Sequence, residues 1–464
     1  MDGLKRRAVI SLASSYISQF LTTAAEFVSK IVLARLIVPA QWGVFAEAML
    51  VILAADVFTD LGLSQHIARE KKRPFGNVLL IRAALSALAI GVLELLAPQL
   101  RFFTPAVIGP ARALAPIVLI RAVGSVPTVF VDRELMVHRS LAPQFTRLSV
   151  MAGISIGLAW AGYGVWALVA GTLCSETAYT ALMWLSVRRL LALDLTLKHT
   201  RALLTGSRYL FFIAIVGLLS QQGDILVTGT LLSPKIVGLY AMAVTLVQRV
   251  SKVVETAVYR VIYPMFCEVA DDIEKLGRIY RFTTLAITAI ETPIYFFLLF
   301  HSGFFVSALL GPKWMPMARI LQALAMAGVS NPYATFGMEV LRATKQDRML
   351  AVTFVSSTFV LVGGGLLLTL HFGVMGMVAA NYMAVSGILC AIALLRTIRQ
   401  QFLDLTRKLV VVYLVSFVVS AGAFVLVRGG LARPLAGMAA VPMLWALFFR
   451  LYGIHLGKET LKSL

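Results

Sequence analysis

The chemistry of this chain must be sought in ionisable side chains placed inside stretches otherwise apolar enough for a membrane. Glu26 and Lys30 lie in the first such stretch, Asp56 and Asp60 in the second, and Asp224 in the seventh. The eighth holds Arg249, Lys252, Glu255 and Arg260, and Arg121 stands near the middle of the fourth. Each costs at least ~2.5–3.5 kcal/mol to insert, so such groups face a cavity or a partner. Buried cations of this kind can hold an anionic group, and buried carboxylates can bind H+ or Na+ or balance the cations when a site is empty. Nothing suggests catalysis. Cys174, Cys267 and Cys390 lie far apart with no CxxC, and the six histidines do not cluster. Neither a GxxxxGK[ST] phosphate loop nor an HExxH occurs, so no catalytic residue, metal site or cofactor is expected and direct ATP-driven transport is disfavoured.

Helical phase, at about 100° per residue, tests whether these groups share faces. Thr245, Arg249, Lys252, Thr256, Tyr259 and Tyr263 fall within roughly 80° of one another, a basic polar stripe on an apolar helix. Gln19, Thr23, Glu26 and Lys30 share a face, as do Gln221, Asp224 and Thr228, and Asp56 and Asp60 are one turn apart. Glu26 and Lys30 also have the spacing of a pair satisfied within its own helix. Arg260 is near enough to a helix end to snorkel. Arg121 has Glu94 and Glu176 as alternative partners.

The elements that must position these residues follow from composition. Of 464 residues 59% are hydrophobic and 14% charged, with a mean hydropathy of +0.87. A soluble domain is nearer ~45–50% apolar and ~25% charged. Yet 42 Lys and Arg against 22 Asp and Glu leave a net charge of +20. A nucleic-acid binder of that charge would not also be this apolar. The expected class is an all-α polytopic membrane protein.

At about 20 residues per span, fourteen transmembrane helices are expected. They are 8–36, 42–68, 77–97, 113–131, 145–162, 165–187, 209–231, 237–265, 283–300, 317–341, 349–370, 374–395, 409–427 and 435–452. The first run is too long, and too poor in a small-residue cleavage site, for a signal peptide. Of the basic residues, 27 fall in one set of alternate loops and 6 in the other, which by the positive-inside rule puts both termini in the cytoplasm.

An internal repeat organises the spans. At an offset of 195 residues, Ser29–Ala48 meets Asp224–Ala243 with Val32/Val227, Leu36/Leu231, Pro39/Pro234, Gly43/Gly238, Ala46/Ala241 and Ala48/Ala243 identical. The Pro and Gly at the shared helix–turn–helix corner carry the weight. The same offset sets Asp60 on Glu255. Spans 1–2 and 7–8 enter the membrane in the same sense, a parallel repeat typical of secondary transporters. Two six-helix lobes (1–200 and 201–405) around a central cavity are expected, with an additional helix pair at 406–464. Arg249, Lys252, Lys30 and Arg121 are the candidate anion-binding residues. Glu26, Asp56, Asp60, Asp224 and Glu255 are the candidates for ion coupling or charge balance.

Several stretches in order resemble one family. They are Leu33-Ala34-Arg35-Leu36 with Pro39, Trp42-Gly43-Val44-Phe45, and Asp60-Leu61-Gly62-Leu63-Ser64. Pro127 with Asp132-Arg133-Glu134-Leu135 follows, then Asp224 with Gly229, Gly238-Leu239-Tyr240, and Gly311-Pro312-Lys313-Trp314. Together they resemble the polysaccharide transport (Wzx-like oligosaccharide flippase) family of the multidrug/oligosaccharidyl-lipid/polysaccharide exporter superfamily. The resemblance implies alternating access and movement of polyprenyl-pyrophosphate-linked oligosaccharide repeat units across the bacterial inner membrane for surface polysaccharide synthesis. It further implies membrane lipids, H+ or Na+ as coupling ion, and polysaccharide polymerase or export machinery as partners, with no nucleic acid. The last two spans match none of these motifs. Two alternatives stay open: a coupled multidrug/cation antiporter of the same superfamily, which would favour an acidic cavity without central cations, and a membrane-embedded glycan polymerase or ligase, which usually needs a large outer loop.

Overall fold

The computed structural model describes residues 22–69, 75–96, 104–134, 136, 138–187, 198–385, 388–427 and 431–452. The start of the expected first span and the basic residues at both chain ends lie outside them. Among the described residues the chain is helical throughout. In chain order the helices are α1 (22–36), α2 (Pro39–Asp60), α3 (Leu63–Arg69), α4 (Phe75–Leu96), α5 (Pro105–Leu114), α6 (Pro116–Arg133), α7 (His138–Trp160), α8 (Val165–Val187), α9 (Lys198–Leu231) and α10 (Pro234–Glu268). There follow α11 (Ile273–Leu309), α12 (Met317–Val329), α13 (Asn331–Ala343), α14 (Asp347–Phe359), α15 (Gly365–Phe372), α16 (Val374–Val385), α17 (Ile388–Thr397), α18 (Arg399–Leu426) and α19 (Ala432–Tyr452).

Each of the fourteen expected spans overlaps a described helix, and among the described residues eight helical stretches are long and apolar enough by themselves to cross a membrane. Several expected spans are interrupted, one of them at Leu61 and Gly62 between α2 and α3. Pro116 and Pro332 lack the backbone N–H that would continue a helix, so α5 gives way to α6 at Ala115 and α12 to α13 at Ser330. A five-residue π turn, Val360–Gly364, interrupts the stretch from α14 to α15.

The chain forms two compact units, Met1–Gly238 and Leu239–Leu464. The lobes expected from the repeat, 1–200 and 201–405 with a 406–464 pair, follow the sequence offset, whereas these two units follow packing. In the first unit α7 and α8 form an antiparallel hairpin, α6 lies between α4 and α8, and α2 packs on α5, α6 and α9. Its apolar cores gather around Val44, Ile52, Leu114 and Val118, and around Leu63, Phe75, Phe130 and Met183. In the second unit α11 is the hub, packed by α12, α13, α18 and α19 over a core that includes Phe266, Tyr280, Phe336 and Phe448.

The repeat corner is built twice and meets itself. α1 ends at 36 and α9 at Leu231, while Pro39 and Pro234 each open the following helix, all 195 residues apart. A Cβ on Gly43 would strike the Pro234 carbonyl oxygen, and one on Gly238 would strike the Pro39 carbonyl oxygen. This reciprocal contact is backbone against backbone, so no rotamer change can relieve an added side chain. Gly43→Val and Gly238→Val should each destabilise the protein toward the upper end of the ~1–3 kcal/mol range for overpacking, or beyond it. Gly153→Ala, whose Cβ would meet nothing within 4 Å, should melt close to the parent. Thermal unfolding in detergent distinguishes them, and equal melting of all three variants would refute the corner contact.

Candidate functional site

The first unit carries a chain of alternating charges on five helices. It starts where α2 ends. Leu61 (φ 48°) and Gly62 (φ 74°) take left-handed conformations and turn the backbone straight into α3. That turn lets the Ser64 N–H and Oγ–H both donate to Asp60 Oδ1, at 3.3 and 2.5 Å. Arg82 of α4 then bridges the two aspartates of α2. Its Nη2 lies 2.9 Å from Asp56 Oδ1 and its Nη1 3.0 Å from Asp60 Oδ1, and it also donates to Ser64 Oγ at 3.0 Å. Arg82 is 4% exposed, so the pairing takes place in a low-dielectric interior.

From Asp56 the chain passes to Arg121 of α6, at 4.0 Å, and from Arg121 to Glu176 Oε1 of α8, at 3.1 Å. Arg147 of α7 reaches the same Glu176 oxygen at 3.8 Å and lies over the Tyr179 ring, 5.3 Å from its centroid. Three arginines thus meet three carboxylates. Exposure rises along the chain, from 5% for the Arg82 side chain through 23% for Arg121 to 42% for Arg147. The Arg82 end has its partners in place as a buried charge must, whereas the Arg121–Arg147 end offers two guanidiniums on one carboxylate. An anion with several oxygens could exchange with Glu176 there, since guanidinium binds phosphate oxygens in a fixed fork.

The sequence-derived candidates fall into three groups. Asp56, Asp60 and Arg121 come together in this network. Of the alternative partners for Arg121, Glu176 is the one it contacts, while Glu94 is engaged by Arg112 near the membrane edge. Glu26 and Lys30 sit half-buried one turn apart on α1, and Asp224 is buried on α9 with its Oδ1 accepting from the Ile225 N–H at 2.8 Å. On α10, Arg249 is half-buried and Lys252 exposed. The side chains of Glu255, Thr256, Tyr259 and Arg260 lie outside the described residues.

Sequence reasoning passed over Arg82, and it offered Glu176 only as one of two alternative partners for Arg121. The available signal was that Arg82 is followed by eleven uncharged residues in α4, too deep for an idle charge. Glu47 on α2 was missed as well. It is fully buried, and neither carboxyl oxygen has a hydrogen-bond partner among the described residues. It lies four residues beyond Gly43, on the same face of α2.

Removing Arg82 would leave two aspartates buried without their guanidinium. Arg82→Gln should cost about 3–5 kcal/mol, the usual penalty for breaking a buried pair. Arg112→Gln, in a pair whose side chains are 48% and 39% exposed, should cost under ~1 kcal/mol. Adding Asp56→Asn to Arg82→Gln should recover part of the loss. Chemical or thermal unfolding of the three variants checks the order, and an Arg82→Gln protein as stable as Arg112→Gln would refute the bridge.

The chain matches the model of a family described as polysaccharide biosynthesis protein over residues 32–319. It is 22% identical over 328 residues to the succinoglycan biosynthesis transport protein ExoT of Rhizobium meliloti (strain 1021), covering 69% of this chain. That alignment spans 66% of ExoT, just under two thirds of its length. The lipopolysaccharide biosynthesis protein WzxC of Escherichia coli (strain K12) is 24% identical over 383 residues, covering 78% of this chain and 76% of WzxC. Among solved structures, the lipid II flippase MurJ in an inward closed conformation superposes with a TM-score of 0.69 at 14% identity, over 94% of this chain and 98% of MurJ. An inward-facing multidrug resistance transporter of the MATE family gives 0.62 at 15% identity, over 83% and 96%. At those identities the structural likeness shows a common fold.

Proposed function

Because the chain belongs to the polysaccharide biosynthesis protein family, we propose that it is a flippase for polyprenyl-pyrophosphate-linked oligosaccharide repeat units. It moves them from the cytoplasmic to the outer leaflet of the bacterial inner membrane by alternating access, with both termini cytoplasmic. Two relatives by sequence are named for polysaccharide synthesis, one of them as a transport protein, and MurJ, which shares the fold, is a lipid II flippase. The observation that carries the proposal is the graded arginine–carboxylate chain. A transporter of a pyrophosphate needs cations in the membrane that are neutralised when the substrate is absent. Arg121 and Arg147 on Glu176 have that character.

In this reading the pyrophosphate exchanges with Glu176 at Arg121 and Arg147, and Lys30, Arg249 and Lys252 offer cations on the repeat-related helices α1 and α10. Asp56, Asp60 and Arg82 hold the network in register, while Glu26, Asp224 and Glu255 balance charge or carry a coupling ion. With the cell interior negative, an anion moving outward gains ~2.3 kcal/mol per charge per 100 mV. The sugar chain is received afterwards by polymerase or export machinery.

The test is transfer of undecaprenyl-pyrophosphate oligosaccharide between leaflets in proteoliposomes. Arg249→Gln with Lys252→Gln should abolish transfer in a folded protein. Arg121→Gln with Arg147→Gln should weaken it at least about tenfold, the worth of one charge-assisted hydrogen bond. Full transfer by both folded double variants would remove the cationic site from the mechanism.

A further inference from the structure

A second buried polar chain lies in the unit from Leu239 to Leu464, and none of its members belongs to the arginine network. Ser251 of α10 is its centre. Its Oγ is 3.3 Å from Glu291 Oε2 and 2.5 Å from the Tyr295 hydroxyl, both on α11, and it accepts from Asn331 Nδ2 of α13 at 3.2 Å. The Tyr295 hydroxyl is also 3.4 Å from the Val247 carbonyl oxygen. Ser251 is 5% exposed, and Glu291 and Tyr295 are 1% exposed. Glu291 is the midpoint of the 37-residue α11, eighteen residues from either end and hence deep in the membrane. By the 195-residue repeat, Ser251 occupies the position of Asp56, the aspartate through which Arg82 and Arg121 are joined in the first unit.

We infer that Glu291 is a proton-binding site and that Ser251 and Tyr295 form its reversible hydrogen-bond relay. The same heavy-atom positions serve both protonation states. With Glu291 ionised, Tyr295 donates to Ser251 and Ser251 donates to Glu291 Oε2. When a hydronium ion gives its proton to Oε2, one of its O–H bonds breaks, a new one forms on the carboxyl, a water molecule is left, and the hydroxyls turn. Glu291 then donates to Ser251, Ser251 to Tyr295, and Tyr295 to the Val247 carbonyl. Asn331 donates to Ser251 in either state, so α10, α11 and α13 stay linked throughout. A hydroxyl has one donor and two acceptor positions, which is what makes the reversal stereochemically free.

The geometry favours a proton over a metal cation. A Ser251–Tyr295 separation of 2.5 Å holds a shared hydrogen with no room for an ion between the oxygens, and Asn331 turns its N–H toward the centre. Titratable groups near Glu291 include Tyr295 on its own helix and Tyr413 on α18, which interacts with it electrostatically. On α10, Arg249 and Lys252 flank Ser251, and on α13 Glu339 lies two turns beyond Asn331. No arginine or lysine of α12 or α19 is buried against this part of α11.

The inference rests on the flippase reading only for what the proton drives; the binding itself is independent of it. Difference infrared spectroscopy of the full-length protein in detergent between acid and neutral pH tests that binding. A buried carboxylic-acid band should grow on acidification, be lost in Glu291→Gln, and be insensitive to sodium at fixed pH. Ser251→Ala and Tyr295→Phe should each move its pH midpoint by about one unit, comparable to the loss of a hydrogen bond to a charged group. A band that persists in folded Glu291→Gln, or that titrates with sodium, overturns the site. Unchanged midpoints in both relay variants overturn the relay. Should Glu291→Gln fail to fold, the two relay variants decide by the same criterion. In proteoliposomes with a pH gradient, Glu291→Gln should lose the gradient's acceleration of lipid transfer and keep downhill exchange. A wild type whose band titrates while no lipid moves would leave the proton site standing and remove the flippase reading.

Discussion

A guanidinium that leaves water for a membrane interior must be met by negative charge, and much of the first unit is arranged around meeting one. Arg82 draws α2 and α4 together through two aspartates, and it recruits the first turn of α3 through Ser64. Asp56 carries the pairing on to α6, and Glu176 carries it to α7 and α8. Five helices with apolar outer faces are thereby indexed against one another by charge. Apolar packing in lipid has little directionality, since side chains of neighbouring helices and lipid tails are equally apolar. An ion pair between two helices has a definite register.

The network is tightest where it is most buried. Arg82 has three oxygens within 3.0 Å, while Arg147 shares Glu176 with Arg121 and packs its face on Tyr179. This gradient separates a scaffold end from an end able to exchange partners. At the position of Asp56 the second unit has Ser251, whose hydroxyl lies 3.3 Å from the buried Glu291 carboxyl and accepts from the Asn331 amide. One position, at an offset of 195 residues, thus carries an ion-pair chain in the first unit and a hydroxyl-centred hydrogen-bond chain in the second.

The corner contact between Gly43 and Gly238 has a different physical basis. Backbone approaches backbone because neither residue has a Cβ, and the contact is reciprocal because the two corners are copies. Pro39 and Pro234 open their helices with φ already in place and no N–H to satisfy, which suits a tight turn.

Composition and periodicity alone determined that this is a multi-span helical membrane protein with an internal repeat. Hydrophobic length is a local property, and the Pro and Gly of the corners are required by local backbone geometry. Asp56, Asp60 and Arg121 were legible as site candidates because a charge in an apolar span stands out on its own. Their partners were not. Arg82 lies 26 residues from Asp56, Glu176 lies 55 from Arg121, and Ser251 lies 40 from Glu291. Nothing local in the sequence ties such positions together, because each pairing depends on how one helix is rotated and shifted against another. Serine, tyrosine and asparagine in a span are also too cheap to draw notice, so the Glu291 relay emerges only when three helices are packed. Which charges exist in the membrane was written in the sequence; which of them meet was decided by helix packing, because only packing brings residues tens of positions apart within hydrogen-bonding distance.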